Sequence, residues 1–119
     1  MSHKTKSTEQ IRKQHTQLKT NADSQQPLLF YKSGDFFEAI FEDAQTIADA
    51  LDIVVTRRRS SDGEPMPMCG IPAHSSHVYF AQLKQQGFNI ALCKPIKDPN
   101  CRRTQAAFDY ELDTREHRP

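Results

Sequence analysis

Tyr31-Lys32-Ser33-Gly34-Asp35-Phe36-Phe37-Glu38-Ala39-Ile40-Phe41-Glu42-Asp43-Ala44 joins two different hydrophobic patterns. Leading into it, Leu28-Leu29-Phe30-Tyr31 is a short apolar run broken by Ser33-Gly34-Asp35, as a strand ending in a turn would be. Beyond the break, Phe37, Ile40, Phe41, Ala44, Ala48 and Leu51 recur at helical spacing and predict one buried stripe. On that reading Asp35 is the N-cap, Phe36 the first helical residue and Glu38 the third. Both would then lie in an exposed first turn beside unpaired backbone N–H groups. Two plainer roles fit the same residues: Asp35-x-x-Glu38 has the spacing of a capping box, and Phe36 beside Phe37 reads as a second core aromatic.

Working outward, Ile53-Val54-Val55-Thr56 is a β-prone run, and the stretch from Arg58 to Pro65, with Asp62-Gly63, is a loop. An extended segment from Met66 to Ile71 then completes a hairpin. Ser75 or Ser76 can cap a helix whose Tyr79, Phe80 and Leu83 pack inward and which stops at Gly87. Asn89 to Cys93 is the next buried strand, and Phe108, Tyr110 and Leu112 alternate with acids as in a half-exposed strand. On the N-terminal side, residues 7–21 are helix-prone but carry only Ile11 and Leu18 as clear apolar anchors. A loosely docked helix after a disordered start is expected there. The division that follows is a basic helix and linker over 1–27, a domain over 28–113 and a tail over 114–119.

A chain of 119 residues suits one domain, burying about two-thirds of its unfolded surface. No apolar run approaches membrane-span length and the N-terminus lacks the apolar core of a signal peptide, so a cytoplasmic location is expected, with no membrane partner. Three cysteines without C-x-x-C spacing fit a reducing compartment. The net charge of +1 does not announce nucleic-acid binding, but its distribution is uneven. Lys4, Lys6, Arg12, Lys13 and Lys19 stand against Glu9 alone in the first twenty residues. Arg57-Arg58-Arg59 forms a run, and Lys94, Lys97, Arg102 and Arg103 oppose only Asp98. Such runs are solvated surface or phosphate contacts, which position a protein on a duplex without reading bases. Cys69, His74 and His77 lack a fourth ligand at zinc spacing, so no metal is expected. No catalytic constellation has supporting context, Glu42-Asp43 reads as a solvated helix face, and the chain contains no G-x-x-x-x-G-K-[ST] loop for ATP.

Three blocks carry a resemblance: F-Y-K-S-G-D-F-F-E-A-I-F-E-D-A, then L-D-I-V-V-T-R-R, then G-E-P-M-P-M-C-G-I-P-A-H-S-S-H-V-Y-F-A-Q-L. In order and spacing, from Leu28 to Pro99, the chain closely resembles the N-terminal mismatch-recognition domain of the MutS DNA mismatch repair proteins. The resemblance implies an α+β domain, a mixed sheet flanked by helices. It implies a non-catalytic module that binds double-stranded DNA at a mismatch or small loop, in company with other mismatch repair proteins, and is nucleoid-associated when on DNA. In the family the Phe-x-Glu of the first block is the mismatch reader, which here falls on Phe36 as a wedge and Glu38 as hydrogen-bonding partner of the displaced base. Arg57, Arg58, Arg59, Lys94 and Lys97 are the expected phosphate contacts. No cofactor is implied for this chain, since ATP and Mg²⁺ belong to the ATPase domain of full-length members. The chain departs from the family in reading Cys93-Lys94-Pro95 for a common Cys-Glu-Gln and in having an acidic strand after Phe108. A protein-interaction module that kept the fold and lost DNA binding is the alternative reading.

Overall fold

A computed structural model describes residues 7–23, 25–59, 63–96 and 110–113. The elements run α1 (Thr8–Asn21), β1 (Leu28–Ser33), β2 (Phe36–Ile40), α2 (Phe41–Leu51), β3 (Thr56–Arg59), β4 (Pro65–Pro72), a 3₁₀ turn (Ala73–Ser75), α3 (Ser76–Gln85), β5 (Ile90–Pro95) and β6 (Tyr110–Leu112). Among the described residues the strands form one six-stranded sheet ordered β3-β4-β2-β1-β5-β6. Only β1 and β5 pair in parallel, so the sheet is mixed, and the domain is α+β with helices on both faces.

The segment expected to open the long helix is instead a strand. Gly34 takes a φ of +58° in a two-residue turn, which a residue without a Cβ accepts readily, and the chain folds straight back so that Ser33 pairs with Phe36. β2 then has β1 on one side, paired over residues 36–38, and β4 on the other, paired over residues 36–40. Phe37, Ile40, Phe41 and Ala44 do have helical spacing, but Phe37 and Ala39 share one sheet face while Phe36, Glu38 and Ile40 share the other, and ladder pairing on both sides outweighs a first helical turn. Asp35 is therefore a turn residue whose carbonyl accepts the Ala73 N–H at 2.8 Å, and neither it nor Glu38 caps a helix.

The helix starts at Phe41, directly after the strand, and Phe41 itself has a φ of +59°. A left-handed bulky residue costs about 1–3 kcal/mol unless its surroundings hold it. Here the ring is 2 % exposed, with the Arg12 guanidinium 4.1 Å above it and the His15 ring edge-on at 5.7 Å. At the other end of α2, Asp52 closes the helix in a left-handed conformation and the Ile53 N–H donates to the Ala48 carbonyl at 3.1 Å. This takes Ile53, Val54 and Val55 out of the predicted strand: Ile53 packs on the core, Val54 is 75 % exposed, and pairing begins only at Thr56. The hairpin itself forms, between Thr56–Arg59 and Pro65–Met68.

One sheet face is covered by α2 and α3 over Phe30, Ala39, Cys69, Ile71 and Leu92, with Phe80 set 4.9 Å from Phe30 and 5.5 Å from Phe37. The other face carries Leu29, Tyr31, Ile40, Met66, Ala91 and Cys93, and α1 lies across part of it. Ser7 caps α1 through a reciprocal capping box with Gln10. The helix is firmly docked, since His15 is buried between the anchors Ile11 and Leu18. A hydrogen-bonded histidine on the inner face does what a third apolar anchor would have done.

Candidate nucleic-acid interface

α1 leaves uncovered the end of its sheet face where β2 begins. Ile40, at the covered end of β2, is fully buried, while Phe36, four residues away on the same face, is 49 % exposed. Between them Glu38 points the same way, by the two-residue period of a strand. Phe36 is opposite Pro72 and Glu38 opposite Gly70 on β4. A Cβ at Gly70 would stand 4.0 Å from Phe36 Cδ1 and 3.9 Å from Glu38 Cγ, so the ring and the carboxylate stem both lie against bare glycine backbone.

The hairpin brings a third residue onto this surface. Arg58 lies opposite Met66, and Met66, Met68 and Gly70 alternate onto the face that carries Glu38. Its Nη1 donates to Glu38 Oε1 at 2.8 Å, with 42 % of the arginine side chain and 17 % of the glutamate exposed. Tyr110 of β6 also belongs here. Its ring meets Tyr31 edge-on at 4.8 Å, its hydroxyl donates to the Lys32 carbonyl at 3.1 Å, and burial together with the Glu38 carboxylate raises its pKa.

Behind the covered half lies a second acidic centre. Asp43 is buried; it accepts from Lys19 Nζ at 2.8 Å and the Leu29 N–H at 3.1 Å, and His15 Nε2 is 3.3 Å away. Burial pushes its pKa up, but the donors of His15, Lys19 and Leu29 outweigh that and hold it below the ordinary carboxylate value. The Tyr31 hydroxyl lies 2.7 Å from His15 Nδ1, and burial, with Cys93, Asp43 and Tyr110 adding to it, keeps that phenol protonated far above its usual range. The expectation of a solvated Glu42-Asp43 face thus fails for Asp43, which turns inward, and holds for exposed Glu42, whose carboxylate pairs with Arg12 at 3.3 Å.

Phe36, Glu38 and Arg58 are brought together, whereas Arg57 and Lys94 lie elsewhere. Arg57 alternates onto the opposite face of β3, and Arg59 closes that strand with its side chain outside the described residues. Lys94 pairs at 4.0 Å with Glu111, on the opposite face from Tyr110, and Lys97 lies outside the described residues. Cys69 is buried in the core while His74 and His77 are exposed; among the described residues no group of three or more His, Cys, Asp or Glu is placed to hold a metal. No described helix is long and apolar enough to cross a membrane. The sequence reading missed Gly70, Tyr110 and the Arg58–Glu38 pair. The pair spans 20 positions, and only the register of the hairpin beside β2 creates it.

The family model described as MutS domain I matches residues 9–114. The chain is 45 % identical over 83 residues to a DNA mismatch repair protein MutS from Desulfatibacillum aliphaticivorans, covering 70 % of this chain and 9 % of that protein. It is 44 % identical over 88 residues to the protein of the same name from an Exiguobacterium species, covering 73 % of this chain and 10 % of that one. The chain thus spans about a tenth of the length of these curated relatives.

Proposed function

The chain belongs to the MutS domain I family, and on that premise we propose that it is a non-catalytic module that binds duplex DNA at mismatches and small loops. The observation that carries the reading is the half-exposed Phe36 ring at the open end of a sheet face, with Glu38 beside it on the same strand and face. An apolar wedge entering the minor groove kinks the duplex, and a mispaired base gives up less stacking and pairing energy than a paired one. Stacking a base on the ring contributes about 1–3 kcal/mol. That biases binding toward a defect without reading sequence. Glu38, when ionised, can only accept hydrogen bonds. It gains a partner where a displaced base offers a donor, and on an ordinary duplex it meets only phosphates of its own sign.

Fluorescence anisotropy with labelled duplexes, matched or bearing one mismatch, tests the reading. Binding should be on the order of micromolar or weaker and should fall with salt, since a single small module makes few phosphate contacts. The mismatched duplex should bind about five-fold tighter or more, as 1 kcal/mol of stacking upward implies. Equal affinity for both duplexes would leave a fold that no longer reads DNA and would favour a protein-interaction role.

A further inference from the structure

We infer that Arg58 is a specificity-determining residue that acts through Glu38 and is more than a phosphate contact; the inference rests on the mismatch-reading role of Glu38. Three observations separate Arg58 from its neighbours in the basic run. It shares a sheet face with Phe36 and Glu38, whereas Arg57 does not. β4 lies between β3 and β2, so the two side chains meet by extending toward each other over that strand, on the face where Gly70 has no side chain to intervene. Their hydrogen bond is made at Glu38 Oε1, so a donor arriving at Oε2 does not have to displace it.

This geometry does two things to the carboxylate. It fixes the rotamer of a side chain that would otherwise sample several, so that one oxygen is already presented when a base is displaced. It also places a guanidinium against the carboxylate, so the face approaches the phosphates as a neutral pair and not as a bare anion. Arg58 then adds to mismatch preference only while Glu38 is ionised and present. A phosphate contact would instead add equally to both duplexes whatever stands at position 38.

The test is a double-mutant cycle read as the ratio of mismatched to matched affinity by anisotropy, with the full chain and circular dichroism to confirm the fold of each variant. Arg58→Ala should lower the ratio by about two- to five-fold, the range supported by a partly exposed ion pair. In a Glu38→Gln background the same change should lower both affinities together and leave the ratio where it was. Arg58→Lys, which restores the charge without the planar fork, should recover overall affinity more completely than the ratio. An equal loss on both duplexes from Arg58→Ala with Glu38 intact, or full recovery of the ratio by lysine, overturns the role of Arg58 and leaves the mismatch reader standing. A parent chain with no mismatch preference overturns the reader itself and this inference with it.

Discussion

Asp43 and Glu38 sit five residues apart, serve the same side of one sheet and each pair with a basic residue, yet their surroundings are opposite. Asp43 lies under α1 with Lys19, His15 and a backbone N–H turned on it. Glu38 lies at the uncovered end with one arginine, and half of the aromatic beside it is in water. The number of donors and the access of water, more than the chemistry of the carboxylate, decide whether an acid locks the fold or stays available to a ligand.

The comparison breaks first at Asp43. Asp43→Ala strands donors from both α1 and β1 and should lower unfolding free energy by about 3 kcal/mol or more in urea titrations. A loss no larger than that of Glu38→Ala would erase the distinction between the two acids. The same acid sets a pH dependence. Its folded pKa lies below the ordinary value of 3.8, so the native state gives up the proton more readily than the unfolded chain does. The stabilisation is therefore complete above that ordinary value and is lost as pH falls through the depressed one. Denaturation midpoints measured into the acid range should fall more steeply in the parent than in Asp43→Asn; parallel curves would show that Asp43 is not the responsible group.

On the open half the effects move from stability to recognition. Phe36→Ala should remove the mismatch preference in anisotropy while costing about 1 kcal/mol of stability, since half of the ring is already solvated. A loss of about 3–5 kcal/mol, as for a core aromatic, would place Phe36 with Asp43 and not against it. The smallest effect belongs to Glu38→Ala. Thermal melting should register at most about 1 kcal/mol for the lost pair, and matched-duplex binding should rise modestly as a repelled carboxylate is removed. Unchanged matched binding would show that the Glu38 carboxylate does not weaken binding to an ordinary duplex.

The chain states much of this fold openly. The helix stopping near Gly87 and the strand before Pro95 are written in local turn residues and apolar runs, whereas the first strand of the hairpin, Thr56–Arg59, lies where the sequence reads the end of a strand and the start of a loop. What it conceals depends on partners distant in sequence. β2 reads as helix because Phe37, Ile40, Phe41 and Ala44 satisfy that period, and only the flanking strands overrule it. Polar His15 and Asp43 look solvated until the fold brings them together in the interior from 28 positions apart. At the site, Phe36 and Glu38 are found through a resemblance. A run such as Arg57-Arg58-Arg59 does not reveal that its members diverge, because a strand sends neighbours to opposite faces.

β2 is clamped at both ends: a two-residue turn returns it from β1, and left-handed Phe41 passes it into α2 with no linker. Neither joint has slack to absorb a change in chain length. One residue added ahead of Phe36 would exchange the faces of Phe36 and Glu38, sending the ring toward α3 and bringing a core side chain out to the open face. The surface can therefore be altered by substitution, residue for residue, but not by lengthening. Sequence drift along this strand should leave its count of five residues untouched even where the residues themselves change.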